Sequence, residues 1–330
     1  MAINLIHVKS AKVKILGMLI LVLSLLAVGG PEFGNAKEAG PFPARSIKII
    51  IAASAGGSLG TEIRAISPFL EKYLGTRTVV EYVAGAEGII GYSKIYNAKP
   101  DGYTLIHCTS AAAIATELTR DSARYAVKNM VPIAAWTAKN HSLVVHPDSW
   151  KTFPAFLEDG RKRKISIAGV NGAPDIQARL MARSLGMELN MIPFKSSGEG
   201  TAAVMGKHVE AAITFTTSAM ATVRGGRLRA LTIFSPKRDR ILPEIPSIVE
   251  LGYEKVPLVS TAGAFLTAPH TPREIAVILE RAVGKAIADP EFIKLAEQNG
   301  IVPEFQPAAE LRKAIADCYE LYNKHRDLIQ

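Results

Sequence analysis

Ile49-Ile50-Ile51-Ala52-Ala53-Ser54-Ala55-Gly56-Gly57-Ser58-Leu59-Gly60-Thr61-Glu62 is the stretch from which the fold class is read. Its β-branched opening has the character of a buried strand, and from Thr61 to Leu74 the apolar residues follow helical spacing. Between the two lie only small side chains. A chain that passes from a strand through small residues into a helix can let a ligand touch its main chain. The free N–H groups of the helix's first turn then suit carboxylate or phosphate oxygens. Ser54, Ala55, Gly56, Gly57 and Ser58 are therefore candidate ligand-binding residues, and ordinary strand-to-helix punctuation accounts for them equally well.

Outward from this stretch, short β-rich runs alternate with helical patterns. Thr78 to Tyr82 precedes Ile89 to Asn97, and Tyr103 to Cys108 follows the turn Pro100-Asp101-Gly102. Such alternation predicts an α/β protein with a largely parallel sheet. It restarts after His146-Pro147-Asp148 with strand Ile165 to Ala168, helix Ile176 to Leu185, strand Asn190 to Pro193 and strand Ala211 to Phe215. A second lobe is expected there. Pro272 to Ala288 and Ala308 to Asp327 read as helices expected to return to the first lobe, and Pro68 is expected to kink or shorten the first helix.

The second lobe repeats the strand-to-loop device. Ile165 to Ala168 runs into Gly169-Val170-Asn171-Gly172-Ala173-Pro174-Asp175, so Gly169, Val170, Asn171, Gly172 and Asp175 are a second candidate group. Asp175 also reads as a first-turn helix residue favoured by the helix dipole. Lys195, in Pro193-Phe194-Lys195-Ser196, is either an anion partner or a solvated loop lysine.

The opposite end of the composition concerns address and charge. Lys9, Lys12 and Lys14 precede an apolar run from Ile15 to Val28, and Gly34 and Ala36 suit cleavage after Ala36. This is a signal-peptide layout, too short for the roughly 18 to 20 residues of a membrane span; periplasmic export with residues 1–36 removed is expected, with an uncleaved N-terminal anchor the alternative. The net charge of +9 falls by two without Lys9, Lys12, Lys14 and Glu32. A modest positive field favours anionic ligands. The single basic run Arg161 to Lys164 lacks interleaved aromatics, so no nucleic-acid partner is expected. Two cysteines, Cys108 and Cys318, read as unpaired buried thiols, although one disulfide is compatible with the compartment.

Chemistry has few carriers. Neither glycine-rich loop holds a Walker lysine, and no nucleophile elbow, His-Glu-x-x-His or metal-spaced Cys pair is present. No catalytic residue, metal or cofactor is expected. His107, at the end of an apolar strand, reads as a core-edge histidine ahead of a base. One enzyme alternative exists: Ala55-x-Gly57-x-x-Gly60 nearly matches a dinucleotide fingerprint, with Glu81 ending the next strand.

The ordered motifs resemble the receptors of the tripartite tricarboxylate transporters, the Bug family. Carrying the resemblance are Phe42-Pro43 with Ile47 to Ile51, Gly56-Gly57 with Arg64, Val79-Val80-Glu81 with Gly85-Ala86-Glu87-Gly88, and Pro100-Asp101-Gly102-Tyr103-Thr104-Leu105. Pro193-Phe194-Lys195, Gly225-Gly226-Arg227-Leu228-Arg229-Ala230-Leu231 and Leu242-Pro243-Glu244-Ile245-Pro246-Ser247 follow in order. The resemblance implies a two-lobe periplasmic binding protein fold with crossing-strand hinges, near Val144 to Pro147 and Thr261 to Ala268, and a ligand cleft between lobes. It divides the chain into residues 37–146 with 262–330 as lobe 1 and 147–261 as lobe 2. It also implies a receptor that captures a small organic carboxylate and delivers it to membrane permease subunits; a ligand-binding component of a periplasmic sensing system is the alternative, and a monomer is the prior expectation for either. Beside the two loops already named, it adds Gly85, Ala86, Glu87, Gly88, Thr109 and Ser110 as contacts. This chain departs from the family pattern at Gly60, where an Asp is usual, and at Asp175, where a His is frequent. A plain carboxylate is therefore expected ahead of an amino acid, with Glu62 or Glu87 the residues that could replace the missing acid.

Overall fold

The computed structural model describes residues 42–53, 58–169, 172–194, 196–259 and 261–329. The expected signal peptide, Ser54 to Gly57, Val170, Asn171 and Lys195 lie outside the described residues. The isoleucine-rich stretch forms strand β1 (Ile47–Ile51), four of whose five side chains are buried, and the chain then enters helix α1 (Ser58–Leu74). Pro68 stands inside α1, which still continues to Leu74, so the lost hydrogen bond does not end it.

Two sheets share the chain. The first has the order β11-β4-β10-β3-β1-β2, with β2 (Thr78–Tyr82), β3 (Thr104–Thr109), β4 (Val131–Ala138), β10 (Ala262–Thr267) and β11 (Pro303–Pro307). The second has the order β7-β6-β8-β5-β9, built from β5 (His141–Val145), β6 (Ile165–Gly169), β7 (Leu189–Pro193), β8 (Ala211–Phe215) and β9 (Arg229–Phe234). In each sheet the first strand of a parallel trio sits between the other two: β1 pairs with β2 and β3, and β6 pairs with β7 and β8. Parallel strands in this order leave a crevice at their carboxyl ends, where the flanking connections diverge. The helices that follow are α2 (Ile89–Tyr96) and α3 (Ser110–Thr119) in the first lobe. In the second they are α4 (Phe153–Gly160), α5 (Ala173–Leu185), α6 (Ser197–Met205) and α7 (Thr216–Arg224).

The chain passes between the sheets over Lys139–Asn140, since β4 ends at Ala138 and β5 begins at His141. His141 to Val145 pairs within the second sheet, so the boundary expected after residue 146 falls one strand too late: an apolar run on both sides of Lys139 hides the change of sheet. The return is close by, because the Lys139 N–H donates to the Thr261 carbonyl at 3.0 Å. Helices α8 (Arg273–Ala288) and α10 (Ala308–Lys324) pack on β4 of the first sheet, with α9 (Pro290–Gln298) against α1 and α8, and α11 (Arg326–Ile329) closes the described chain against α5.

One buried cluster of the first lobe joins Ile50, Ile106, Ala264 and Tyr322 to Ala173, Ile176 and Leu180 of α5, so the second lobe's helix seals part of the first lobe's core. The second lobe's own core gathers Leu143, Phe153, Phe156, Ile167 and Met181. Cys108 and Cys318 are free and buried, and burial pushes both thiols up to about 12. The basic run is consumed at the surface: Lys162 pairs with Glu158, Arg163 with Asp159 and Glu210, and Lys164 with Glu188. Among the described residues no helix is long and apolar enough to cross a membrane.

Candidate functional site

Beneath the carboxyl ends of β1 and β3 lies a buried polar cluster. Glu62 projects from the second turn of α1, His107 from β3 and Lys139 from the crossing segment, each under 8 % exposed. Lys139 Nζ lies 2.6 Å from Glu62 Oε1, and His107 Nε2 lies 2.9 Å from Glu62 Oε2. The Trp136 indole donates to His107 Nδ1 at 3.4 Å, which leaves the Nε2 proton for Glu62. Burial alone would raise the Glu62 carboxyl. The Lys139 charge, with hydrogen bonds from His107 and Lys139, outweighs it and holds the group below the usual carboxylate range. The backbone accommodates the cluster at Gly263, where a Cβ would stand 2.5 Å from Thr137 Oγ1 and 2.9 Å from Glu62 Oε2. The Gly263 N–H instead donates to Thr137 Oγ1 at 3.0 Å.

Above the cluster opens a cavity of about 360 Å³. The first lobe contributes Ser58, Thr61 and Glu62 of α1 with Thr137, Ala138 and Lys139; the second contributes Phe215 and the first turn of α7, Thr217 and Ser218. Two helix N-termini from different lobes thus open on one space, each carrying positive dipole charge. Helix α7 is tied to the crossing segment, since Thr216 donates to the Asn140 carbonyl through both its N–H, at 2.9 Å, and its hydroxyl, at 3.2 Å. Hydroxyls, helix dipoles and the Lys139 ammonium, itself paired with the Glu62 carboxylate, border this space from both lobes.

The residues named from sequence fall in three settings. Ser58 lines this cavity. Glu87, Gly172 and Asp175 line a second one of about 330 Å³, together with Thr116, Arg120 and Arg179. Gly85, at φ 124°, and Gly88, at φ 91°, take left-handed conformations around a short helical turn containing Ala86 and Glu87. Glu87 is held by Arg120, whose Nε and Nη2 each donate at 3.0 Å. Thr109 and Ser110 are buried where β3 turns into α3, Gly169 ends β6, and Gly172 caps α5 at φ 90°.

A hydrogen bond from Lys94, with the Lys48 ion pair at 3.2 Å, holds the Glu81 carboxyl below the usual range. It is engaged where a dinucleotide site would need it for a ribose. Among the described residues no group of three His, Cys, Asp or Glu side chains is arranged to hold a metal. Sequence reasoning missed Thr61, Lys139, Thr217 and Ser218. The one available signal was Lys139, a lone charge between two apolar runs.

The chain matches the family described as "Tripartite tricarboxylate transporter family receptor" over residues 63–330. It is 30% identical to Protein BugT of Bordetella pertussis over 305 residues, covering 89% of this chain and 93% of that one. A TctC solute binding protein from Polaromonas superposes with TM-score 0.76 at 21% identity, covering 86% of this chain and 98% of the other. MatC from Rhodopseudomonas palustris, solved with bound malate, superposes with TM-score 0.70 at 21% identity, covering 88% and 100%. These likenesses and the two-sheet architecture agree with the resemblance read from the motifs. The chain belongs to the tripartite tricarboxylate transporter receptor family, the Bug or TctC type of periplasmic solute-binding protein, and is a receptor rather than an enzyme.

Proposed function

We propose that this receptor is exported on residues 1–36 and, as a monomer, closes two lobes on a small organic carboxylate, which it delivers unchanged to membrane permease subunits. The lobes run from residue 45 to 139 with 261 to 329, and from 140 to 260. The carboxylate sits in the cavity of Ser58, Thr61, Lys139, Thr217 and Ser218. Loop amides of residues 54–57, 85, 86, 88 and 169–171, with Thr109, Ser110 and Lys195, complete the enclosure, whereas Glu87, Gly172 and Asp175 line the second cavity and are not part of this contact set. The observation that carries this reading is Lys139, a buried ammonium on the segment joining the lobes, facing a cavity walled by hydroxyls from both. Malate bound in MatC, a protein of the same fold, supports a carboxylate as the ligand class. Glu62 and Glu87 are both engaged by basic side chains, which supports a plain carboxylate over a ligand with an ammonium group.

A ligand that touches both lobes binds the closed form better than the open one, and that difference drives closure. The test is titration calorimetry with di- and tricarboxylates, aromatic acids and amino acids, on the native chain and on the double variant Glu62→Gln/Lys139→Met. The pair is removed together so that neither buried charge is left alone. Carboxylate affinity should fall at least about tenfold in the double variant, equivalent to about 1.4 kcal/mol. Undiminished affinity would place the carboxylate elsewhere.

A further inference from the structure

The anion cavity does not end at the first turn of α7. Met220, one turn further along, lines it together with Gly300, Ile301 and Val302. The same four residues also line a larger groove of about 740 Å³. The two spaces therefore share a wall, built from one flexible side chain of the second lobe and a short backbone stretch of the first. At that stretch Gly300 stands at φ 65°, and a Cβ there would lie 3.6 Å from Met220 Cε. Methionine has three rotatable bonds and an unbranched thioether, so it yields to an entering chain more readily than a branched residue would.

Beyond Met220 the character of the lining changes. Ile241, Ile287, Ala288, Ile293, Pro303 and Phe305 make apolar walls, with Ile293 and Phe305 about 40 % exposed. Three charged residues complete the groove: Arg224, Arg240 and Glu297. Its field is therefore positive by one charge and disfavours a cationic amphiphile. An apolar groove that shares a wall with the polar cavity, closed at one point by a movable methionine, suits an elongated molecule with its head on one side and its chain on the other.

We infer that the ligand is an organic acid with an apolar tail, its carboxylate held at Lys139 and the α1 and α7 N-termini, its chain running past Met220 into the groove of Ile293 and Phe305. This deepens the proposed function and rests on the carboxylate being bound at Lys139. It assigns the groove, the larger of the two spaces, to chain-length selection.

The experiment is calorimetric titration of the native chain with straight-chain monocarboxylates from butanoate to decanoate, with malate as a short reference and the matched alkylammonium salts as controls. Each methylene taken into the groove should tighten binding about fourfold, the equivalent of about 0.8 kcal/mol, until the groove is filled. The alkylammonium salts should not bind. Ile293→Asp and Phe305→Asp place a charge on exposed groove positions that should not disturb folding, and either should abolish the dependence on length while leaving the shortest acids unchanged. Short acids that bind with no length dependence would overturn this inference and leave the receptor reading standing. Failure of every carboxylate would overturn both. A length dependence that survives both aspartate variants would put the tail elsewhere and would equally overturn the assignment of the groove.

Discussion

Glu62 and His107 are 45 residues apart in sequence, and Lys139 joins them from a third element, so the cluster depends on three long-range placements. Gly263 is the residue on which its geometry turns. Gly263→Ala should lower stability by about 2 kcal/mol in urea denaturation, because the added methyl meets Thr137 and Glu62 in a packed interior. His141, directly after the crossing, is buried with neither ring nitrogen hydrogen-bonded to protein, and its ring lies 5.1 Å from that of Phe215. Burial lowers its pKa from 6.5 to about 3. The depressed value means that unfolded chains take up this proton first. Stability should therefore be highest above pH 6.5 and fall progressively down to about pH 3. His141→Leu should flatten that part of the stability profile, and an unchanged acid limb would refute the assignment. At this scale the sequence was partly legible. His107 could be placed at a core edge by its neighbours on an apolar strand, whereas its bond to Glu62 could not, because periodicity reports the face of one element and not the partner across a fold.

Elements with a clean period were readable, and those whose pairing is set by the tertiary structure were not. The strand β1, the helix α1 and the second-lobe strand β6 follow from apolar runs and small-residue loops. Strand β11, Pro303-Glu304-Phe305-Gln306-Pro307, carries a proline at each end and resembles a loop; it is tolerated because it lies at the sheet edge, where fewer ladder bonds are needed. Strands β4 and β5 merge in sequence into one apolar passage, and only the sheet order separates them. Helix α9 depends on Asp289, whose carboxylate accepts from the Glu291 N–H at 3.0 Å as an N-cap, and from Lys72 Nζ at 2.7 Å and Tyr73 Oη at 2.9 Å on α1. The Lys72 hydrogen bond, assisted by Tyr73 and the cap, lowers its pKa from 3.8 to about 2 against the opposing effect of burial. Its contribution is complete above pH 3.8 and is lost as pH falls through about 2. Asp289→Asn should lower the urea midpoint at pH 7 and remove the pH dependence between about 4 and 2; equal midpoints would show that α1 and α9 are held together by apolar packing such as the Phe69–Phe292 ring contact alone.

At the scale of the molecule, two sheets with the same central order, second-first-third, are joined by a crossing at Lys139–Asn140 and a return that pairs with it at Thr261. That repetition was legible, because the sequence restarts its alternation in the second half. The candidate cavity was less so: Ser58, which lines it, could be named from its loop, but Lys139, Thr217 and Ser218 come beside it only when the two sheets are set together. The central proposal is that this assembly captures a small organic acid and returns it unaltered. The direct measurement is thermal unfolding of residues 37–330 against carboxylates, aromatic acids, amino acids and nicotinamide cofactors, with mass analysis of every ligand after incubation. At 100-fold excess over its dissociation constant, a ligand of the native state adds about 2.7 kcal/mol of stability. A shift of that size from a carboxylate recovered intact is the predicted result. Stabilisation by nicotinamide cofactors instead, or recovery of a chemically altered ligand, would contradict it.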